Sequence, residues 1–345
     1  MQEMLKLQKK IIPELVDLLE KRYNVLRTIY YNEPIGRRTL AGYLNLSERI
    51  VRTEISFLND QGLIAISSPG MSVTDEGREV LEKLKGYIHE IKGLSEVENI
   101  IKEFLNLKNV IVVSGDVEED PSIMKEIGKA AANFAKSHIH SGDIIAVTGG
   151  STVKSVIDNF PKVNSIKDVL VVPARGGMGK KVETQANTLS AKLAEKLNGT
   201  YKMLHVPENL SDEILETLVQ QKEIQEIIEC IHKANILIYG IGRAQQMGMK
   251  RGLSQKQLQQ LNELGAVGEA FGCYFDKDSN VVWITPTLGI NINDINNLNL
   301  HIAVAAGKNK VEAILSTKFG NKNGVLVTDE GAALRLVEHI KQNNS

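Results

Sequence analysis

Residues 144–154 read IIAVTGGSTVK, and this stretch decides the fold class of the larger part of the chain. The four apolar residues predict a buried strand, and the glycine pair with its two hydroxyl residues predicts a tight turn into a helix. Such a turn lets a ligand approach the backbone and points free helix N–H groups at it. We therefore expect a phosphate-sized anion at Gly149, Gly150, Ser151 and Thr152, with a plain helix cap at Ser151 as the alternative.

Strands and helices alternate from about residue 108 to the end of the chain. Short aliphatic strands are predicted at 110–113, 144–147, 169–172, 236–239, 302–305 and 325–327. Helices are predicted at 122–139, 152–159, 184–197, 211–233, 309–318 and 330–341. Continuous apolar strands that alternate with helices indicate a parallel sheet covered on both faces, which is a Rossmann-like α/β domain.

Residues 37–59 predict a helix, a short turn and a second helix, and residues 63–73 predict a hairpin. Together they predict a winged helix-turn-helix, with a protein-interaction module of the same shape as the alternative. Ser47 suits the cap of the second helix, whose polar face carries hydroxyl and guanidinium groups that can contact DNA. The expected DNA contacts are Arg37, Arg38, Ser47, Arg49, Arg52, Thr53 and Ser56.

Composition limits the function classes. The 345 residues hold 41 Lys and Arg against 42 Asp and Glu, a net charge of −1, which excludes a globally basic nucleic-acid coat. Residues 21–60, however, hold seven basic and four acidic residues, so positive charge is concentrated around the predicted winged helix. Two cysteines exclude a disulfide scaffold, and no apolar run has the length of a membrane span or a secretory signal. We expect a cytoplasmic protein without a metal.

Two apolar seams lie between the predicted domains. Leu81, Leu84, Ile88 and Ile91 repeat at helical spacing, a second seam runs from Leu94 to Phe104, and the phase slips near Gly93. The seams fit either an inter-subunit contact or two helices packed on their own core. We expect a winged helix-turn-helix domain at 1–90, a helical linker at 91–108, and an effector-binding and oligomerisation domain at 109–345.

Further polar residues follow the other predicted strands. They are expected at the same sheet edge, because ligands bind at the carboxyl ends of strands in open α/β folds. Several cationic loops on one rim, with one carboxylate in a predicted loop at 268–272, suggest a ligand with two separated anionic groups and a polyol between them. These residues are Arg175, Gln185, Lys250, Arg251, Glu269 and Lys310.

Two other functions compete with a ligand-controlled regulator. Residues 238–243 read IYGIGR, which resembles the start of a dinucleotide fingerprint but lacks its third glycine, so a nicotinamide-sensing repressor is a weak alternative. A sugar-phosphate isomerase or deaminase would need a positioned acid or base, for which His301, Asp329 and Glu330 are available.

The motifs together resemble one known family. With the winged helix, residues 148–152 (TGGST), 174–177 (ARGG), 268–272 (GEAFG) and 327–331 (VTDEG) resemble the SorC family of bacterial sugar-responsive transcriptional regulators. The resemblance implies a domain similar to glucosamine-6-phosphate deaminase and ribose-5-phosphate isomerase, without their activity. It implies a repressor of a glycolytic operon that fructose 1,6-bisphosphate releases from operator DNA, and a homo-oligomer that is a dimer or, on DNA, a tetramer. Its effector contacts would be Gly149, Gly150, Ser151, Thr152, Arg175, Gln185, Lys250, Arg251, Glu269 and Lys310.

Overall fold

The computed structural model describes residues 10–177, 181–206, 212–317 and 322–343. The chain divides into two compact units. The first comprises Met1–Val97 and Ser114–Ile123, and the second comprises Glu98–Val113 and Met124–Ser345. Within the described ranges, every helix is too short or too polar to cross a lipid bilayer.

The first unit is a winged helix. Its elements are α1 (Pro13–Asn32), α2 (Arg37–Leu44), α3 (Glu48–Asp60), β1 (Ile64–Ser67), β2 (Gly70–Val73) and α4 (Asp75–Ile91). The predicted hairpin is confirmed, because β1 and β2 pair antiparallel from Ile64↔Val73 to Ser67↔Gly70. Ile35 forms an isolated antiparallel bridge with Met71.

The core of the first unit follows the predicted helical stripe. Val51, Ile55 and Leu58 of α3 are buried against residues of α1 and the hairpin. Leu81 and Ile88 of α4 belong to the same core. The first apolar seam therefore packs within its own unit, as expected of an amphipathic helix. The helix ends before Gly93, which has a φ of +66°, and the next helix is α5 (Leu94–Leu105).

The strands of the second unit are β3 (Asn109–Val113), β4 (Ile144–Val147), β5 (Leu170–Pro173), β6 (Thr200–Tyr201), β7 (Ile236–Gly240), β8 (Gly242–Arg243), β9 (Gly268–Ala270), β10 (Cys273–Phe275), β11 (Val281–Ile284), β12 (Leu300–Val304) and β13 (Gly324–Asp329). Seven of them form a parallel sheet in the order β3-β13-β12-β7-β4-β5-β6. The predicted parallel sheet is confirmed, and its six predicted strands are rich in buried aliphatic side chains. The seventh strand, β6, was not predicted, and its two residues are exposed.

The helices that alternate with these strands are close to the predicted ones. The predicted helix at 211–233 is wrong as a single element, because the chain bends between Val219 and Lys222 and forms two helices. The helices are α6 (Ile123–Lys136), α7 (Ser151–Asp158), α8 (Ala186–Leu197), α9 (Asp212–Val219), α10 (Lys222–His232), α11 (Ala244–Lys250), α12 (Gln255–Glu263), α13 (Val311–Ser316) and α14 (Glu330–Asn343).

A second, smaller sheet was not predicted. Strands β8 to β11 form an antiparallel sheet in the order β11-β10-β9-β8. The expected loop at residues 268–272 is wrong, because Gly268–Ala270 form strand β9 and pair with β10. Only Phe271 and Gly272 form the turn, and both have positive φ angles of 37° and 86°. Glycine and glutamate are rare in strands, so their own propensity gave no signal for β9.

Candidate functional site

A cavity of about 490 Å³ lies at the carboxyl edge of the parallel sheet. From β4, the strand order runs through β5 and β6 in one direction and through β7, β12 and β13 in the other. The reversal between β4 and β7 is the topological switch point at which open α/β sheets bind ligands. Residues that follow β4, β5 and β7 line the cavity, including Thr148, Arg175 and Ile241.

The glycine turn after β4 forms one wall of the cavity. Gly149, Gly150, Ser151 and Thr152 all line it, as the sequence predicts. Gly150 has a φ of +124°, and its N–H donates to the carbonyl of Thr184 at 2.8 Å, so this N–H is not directed at a ligand. The first turn of α7 begins at Ser151, and the N–H groups of a first turn have no partner inside their own helix. Such N–H groups can donate to an anion.

Cations from several elements surround the same space. Among the described residues, the charged lining side chains are Lys154, Arg175, Lys181, Lys250, Arg251 and Lys310, with the carboxylates Glu183 and Glu269. Sequence reasoning identified four of these cations and missed Lys154 and Lys181, which lie beyond the turns it considered. Gln185 was predicted as a contact, but it sits between the lining residues Thr184 and Ala186 and does not itself line the cavity.

Arg251 and Glu269 form a buried ion pair in this wall. Nη2 of Arg251 lies 2.6 Å from Oε1 of Glu269, and the two side chains are 4% and 2% exposed. The same carboxylate oxygen accepts the backbone N–H of Gly272 at 2.5 Å. A buried charge needs such partners, so Glu269 is held in place by a guanidinium group and a hairpin turn. Lys250, its neighbour in sequence, is exposed.

Arg175 is packed against the same turn. Its side chain is buried, and its Nη2 donates to the carbonyl of Thr285 at 3.4 Å. A Cβ atom at Gly272 would fall 1.4 Å from Nη1 of Arg175. Only glycine therefore leaves room for this guanidinium group, and the motif at 268–272 is explained by close packing as well as by turn geometry.

Lys310 has a perturbed pKa. Burial, and then the charges of Lys250 and Arg243, lower the pKa of Lys310 to about 8, while the charge of Asp329 opposes the shift. A cation that is partly desolvated among other cations gains most when a dianion enters. An anion in the cavity would therefore stabilise the charged form of Lys310.

The acid and base groups considered for an enzyme lie elsewhere. His301 is buried in β12, where the hydroxyl of Tyr239 lies 3.3 Å from its Nδ1, and burial lowers the pKa of His301 to about 4. Asp329 is also buried, and its carboxylate accepts the N–H of Gly307 at 2.8 Å. Neither residue is among those that line the cavity. Within the described ranges, no group of His, Cys, Asp and Glu side chains could hold a metal ion.

The residues predicted to contact DNA are exposed in the first unit. Arg37, Arg38, Arg49, Arg52, Thr53 and Ser56 are all exposed, and Ser47 caps α3 with its hydroxyl oxygen 3.4 Å from the N–H of Ile50. We name the four arginines of this set the arginine face. The hairpin wing at residues 63–73 carries no charged side chain, so it can add hydroxyl and main-chain contacts but no positive charge.

Not every base near the winged helix belongs to this face. Lys21 and Arg22 lie 2.6 Å and 3.0 Å from the carboxylate of buried Glu54. Burial alone would raise the pKa of Glu54, but the hydrogen bonds and charges of Lys21 and Arg22 hold it below its usual value. Arg27 is buried and donates to the carbonyl of Ser114 at 2.7 Å. Of the seven bases counted in residues 21–60, Lys21, Arg22 and Arg27 therefore have structural partners within the unit, and exposed Arg38 lies 3.6 Å from the carboxylate of Glu48.

A winged helix with an exposed arginine face and a separate α/β unit with a cationic cavity define a ligand-responsive, DNA-binding regulator. Family models give the same result. The model described as a sugar-binding domain matches residues 89–338, and the model described as "CggR N-terminal DNA binding domain" matches residues 18–88. The chain belongs to the SorC family of transcriptional regulators.

Several relatives match most of the chain. The central glycolytic genes regulator of Bacillus subtilis is 40% identical over 337 residues, which cover 98% of this chain and 99% of that protein. A crystal structure of a SorC family transcriptional regulator from Enterococcus faecalis is 33% identical, with a TM-score of 0.66, over 70% of this chain and 99% of that one. The full-length sorbitol operon regulator SorC from Klebsiella pneumoniae shares the fold, with a TM-score of 0.64 and 20% identity. The match covers 94% of this chain and 99% of that one.

These matches decide between a regulator and a sugar-phosphate enzyme. The first relatives are transcriptional regulators that match nearly their whole length, and the chain is a sugar-responsive regulator and not an isomerase or deaminase. The IYGIGR stretch leads from β7 into β8 at the cavity wall, within the part of the chain that matches the sugar-binding domain.

Proposed function

We propose that the chain is a repressor of a glycolytic operon and that a sugar bisphosphate, fructose 1,6-bisphosphate above all, weakens its binding to operator DNA. The observation that carries the proposal is the cavity at the switch point, where a helix N-terminus and several cations face one space. A ligand with two separated phosphates satisfies this arrangement better than a neutral sugar. The 40% identity to a central glycolytic genes regulator supports the operon assignment.

Each part of the cavity has a proposed role. The turn at Gly149 to Thr152 and the first turn of α7 bind one phosphate. On the other walls, the cations Arg175, Lys250, Arg251 and Lys310 bind the second phosphate. The carboxylate of Glu269 accepts from the sugar hydroxyls. Gln185 does not line the cavity and has no contact in this proposal.

The DNA-binding unit acts as part of a symmetric oligomer in this proposal. Arg37, Arg38, Ser47, Arg49, Arg52, Thr53 and Ser56 contact operator DNA, and a dimer or tetramer spans two half-sites. Ile11, Ile12 and Leu15 at the start of the described chain are 76%, 49% and 54% exposed, and they offer an apolar surface to a second copy. The site of action is the cytoplasm, where operator DNA and phosphorylated sugars are both present.

Regulation follows from linkage. The effector binds the oligomer arrangement of low DNA affinity more tightly than the arrangement of high affinity, and so it shifts the population away from DNA. By the same coupling, operator DNA must weaken effector binding by an equal factor.

Calorimetric titration of the full chain with a panel of sugar phosphates tests the proposal. Fructose 1,6-bisphosphate is expected to bind more tightly than fructose 6-phosphate, glucosamine 6-phosphate or ribose 5-phosphate, because only a bisphosphate occupies both anion sites. At a hundredfold excess over Kd it should stabilise the second unit by about 2.7 kcal/mol. Absence of binding by any sugar bisphosphate contradicts the assignment of the effector.

A further inference from the structure

We propose that Glu269 is a positioning residue that sets the places of both buried guanidinium groups of the cavity, Arg251 and Arg175. This role is additional to any sugar hydroxyl that Glu269 accepts. The inference rests on the proposed function, because it concerns the affinity of the same cavity for phosphate groups.

One oxygen atom of Glu269 accepts two hydrogen bonds. Oε1 of Glu269 accepts from Nη2 of Arg251 at 2.6 Å and from the N–H of Gly272 at 2.5 Å. Both distances are those of strong, charge-assisted hydrogen bonds. The carboxylate therefore fixes a guanidinium group that comes from the end of α11 and a turn that joins β9 to β10.

The turn at Gly272 also holds the side chain of Arg175. The side chain of Arg175 packs on Gly272 so closely that a Cβ atom there would fall 1.4 Å from Nη1. The carbonyl of Gly272 accepts the N–H of Thr285 at 2.9 Å, and the carbonyl of Thr285 accepts Nη2 of Arg175 at 3.4 Å. Glu269 thus reaches Arg175 through Gly272 and Thr285, and one carboxylate connects both cations.

The negative charge of Glu269 distinguishes a positioning role from a purely electrostatic one. A carboxylate beside a phosphate site repels the ligand, so its electrostatic effect alone lowers phosphate affinity. If Glu269 acted only through its charge, its neutralisation would tighten phosphate binding. If it positions the two guanidinium groups, its neutralisation should weaken phosphate binding, because bidentate contacts depend on geometry. The two roles therefore predict effects of opposite sign.

The principal experiment compares E269Q with the unmodified chain, using two kinds of probe. Fructose 1,6-bisphosphate carries hydroxyls, whereas hexane-1,6-diol bisphosphate carries two phosphates and no hydroxyl. Inorganic phosphate serves as a second hydroxyl-free probe. Positioning predicts that E269Q weakens binding of all three by about tenfold or more, the factor expected when charge-assisted contacts lose their alignment. Unchanged or tighter binding of the hydroxyl-free probes would overturn the proposal.

A second variant tests the route to Arg175 without changing any charge. G272A places a methyl group where Nη1 of Arg175 lies and should weaken binding of the same probes. The matched control is G265A, because Gly265 also has a positive φ of +70° but a Cβ atom there would have no neighbour within 4 Å. If G272A and G265A bind phosphate equally well, Gly272 does not transmit the position of Glu269. Should E269Q not fold, this pair carries the test.

The outcomes separate this inference from the proposed function. If the unmodified chain binds none of the three probes, the proposed function fails. If it binds fructose 1,6-bisphosphate and E269Q weakens only that ligand, Glu269 is a hydroxyl acceptor and the positioning role is wrong. Circular dichroism and size-exclusion chromatography of E269Q without ligand report whether the variant is folded and assembled.

Discussion

Nη2 of Arg251 lies 2.6 Å from Oε1 of Glu269 in an ion pair that is almost completely buried, while Lys250, one residue earlier, is exposed. Substitution of these two adjacent cations should therefore change the free energy of unfolding by different amounts. Loss of one partner from a buried pair leaves an uncompensated buried charge, whereas loss of an exposed lysine leaves none.

R251M should therefore lower both stability and effector affinity. We expect the free energy of unfolding to fall by about 3 kcal/mol or more, because Glu269 is left buried without its partner. K250M should leave stability unchanged and weaken fructose 1,6-bisphosphate by less than about tenfold. Chemical denaturation and calorimetry measure both quantities. A larger effect of K250M than of R251M on effector binding would reverse this ranking.

The arginine face should account for the salt dependence of operator binding. R49A and R52A should each weaken binding and reduce the slope of log K against log salt by about 0.9 for each phosphate that is no longer neutralised. R335A is the control, because Arg335 is an exposed arginine of α14 paired with Glu338. Fluorescence anisotropy over a series of salt concentrations gives the slopes. Equal slopes for R52A and R335A would remove Arg52 from the interface.

Effector binding should depend on pH through Lys310. The pKa of Lys310 is about 8, and a bound phosphate would stabilise the charged form, so binding takes up a proton above that pH. Affinity should thus be constant near pH 7 and fall as pH rises through 8, by about tenfold at pH 9. K310Q should bind more weakly at pH 7 and lose this dependence. Calorimetry at several pH values that shows the same decline in K310Q would assign it to another group.

Arg27 should hold the segment Ser114–Ile123 against α1 in the first unit. Its Nη1 donates to the carbonyl of Ser114 at 2.7 Å, and the hydroxyl of Thr28 lies 3.4 Å from Oδ2 of Asp120. R27M should lower the stability of this unit by about 2 kcal/mol and accelerate hydrogen exchange in residues 114–123. K83M, which removes an exposed lysine of α4, should change neither. Unaltered exchange in R27M would show that other contacts hold the segment.

Much of the fold could be predicted from local signals. The aliphatic runs of the parallel sheet, the stripe of Val51, Ile55 and Leu58, and the turn at residues 148–152 depend on neighbours along the chain, and periodicity reports those directly. The positions of Arg175 and Lys310 at one edge then followed from the general rule for parallel sheets.

The remaining features depend on contacts between distant parts of the chain. Arg251 and Glu269 are 18 residues apart, and nothing in the local pattern shows that they pair. A count of bases in residues 21–60 cannot show that Arg22 lies against Glu54 or that Arg27 is buried, because both depend on tertiary packing. Lys154 and Lys181 were missed for the same reason, since only the folded chain brings them to the cavity.

The most direct measurement is the operator affinity of the full chain as fructose 1,6-bisphosphate is added, at fixed salt and with an operator recovered by in vitro selection. The proposed linkage predicts that saturating effector raises the Kd for operator by about tenfold or more, within the usual range of coupling free energies. R251M should show little of this response. An operator Kd that is the same with and without saturating effector would contradict the conclusion that the cavity controls DNA binding.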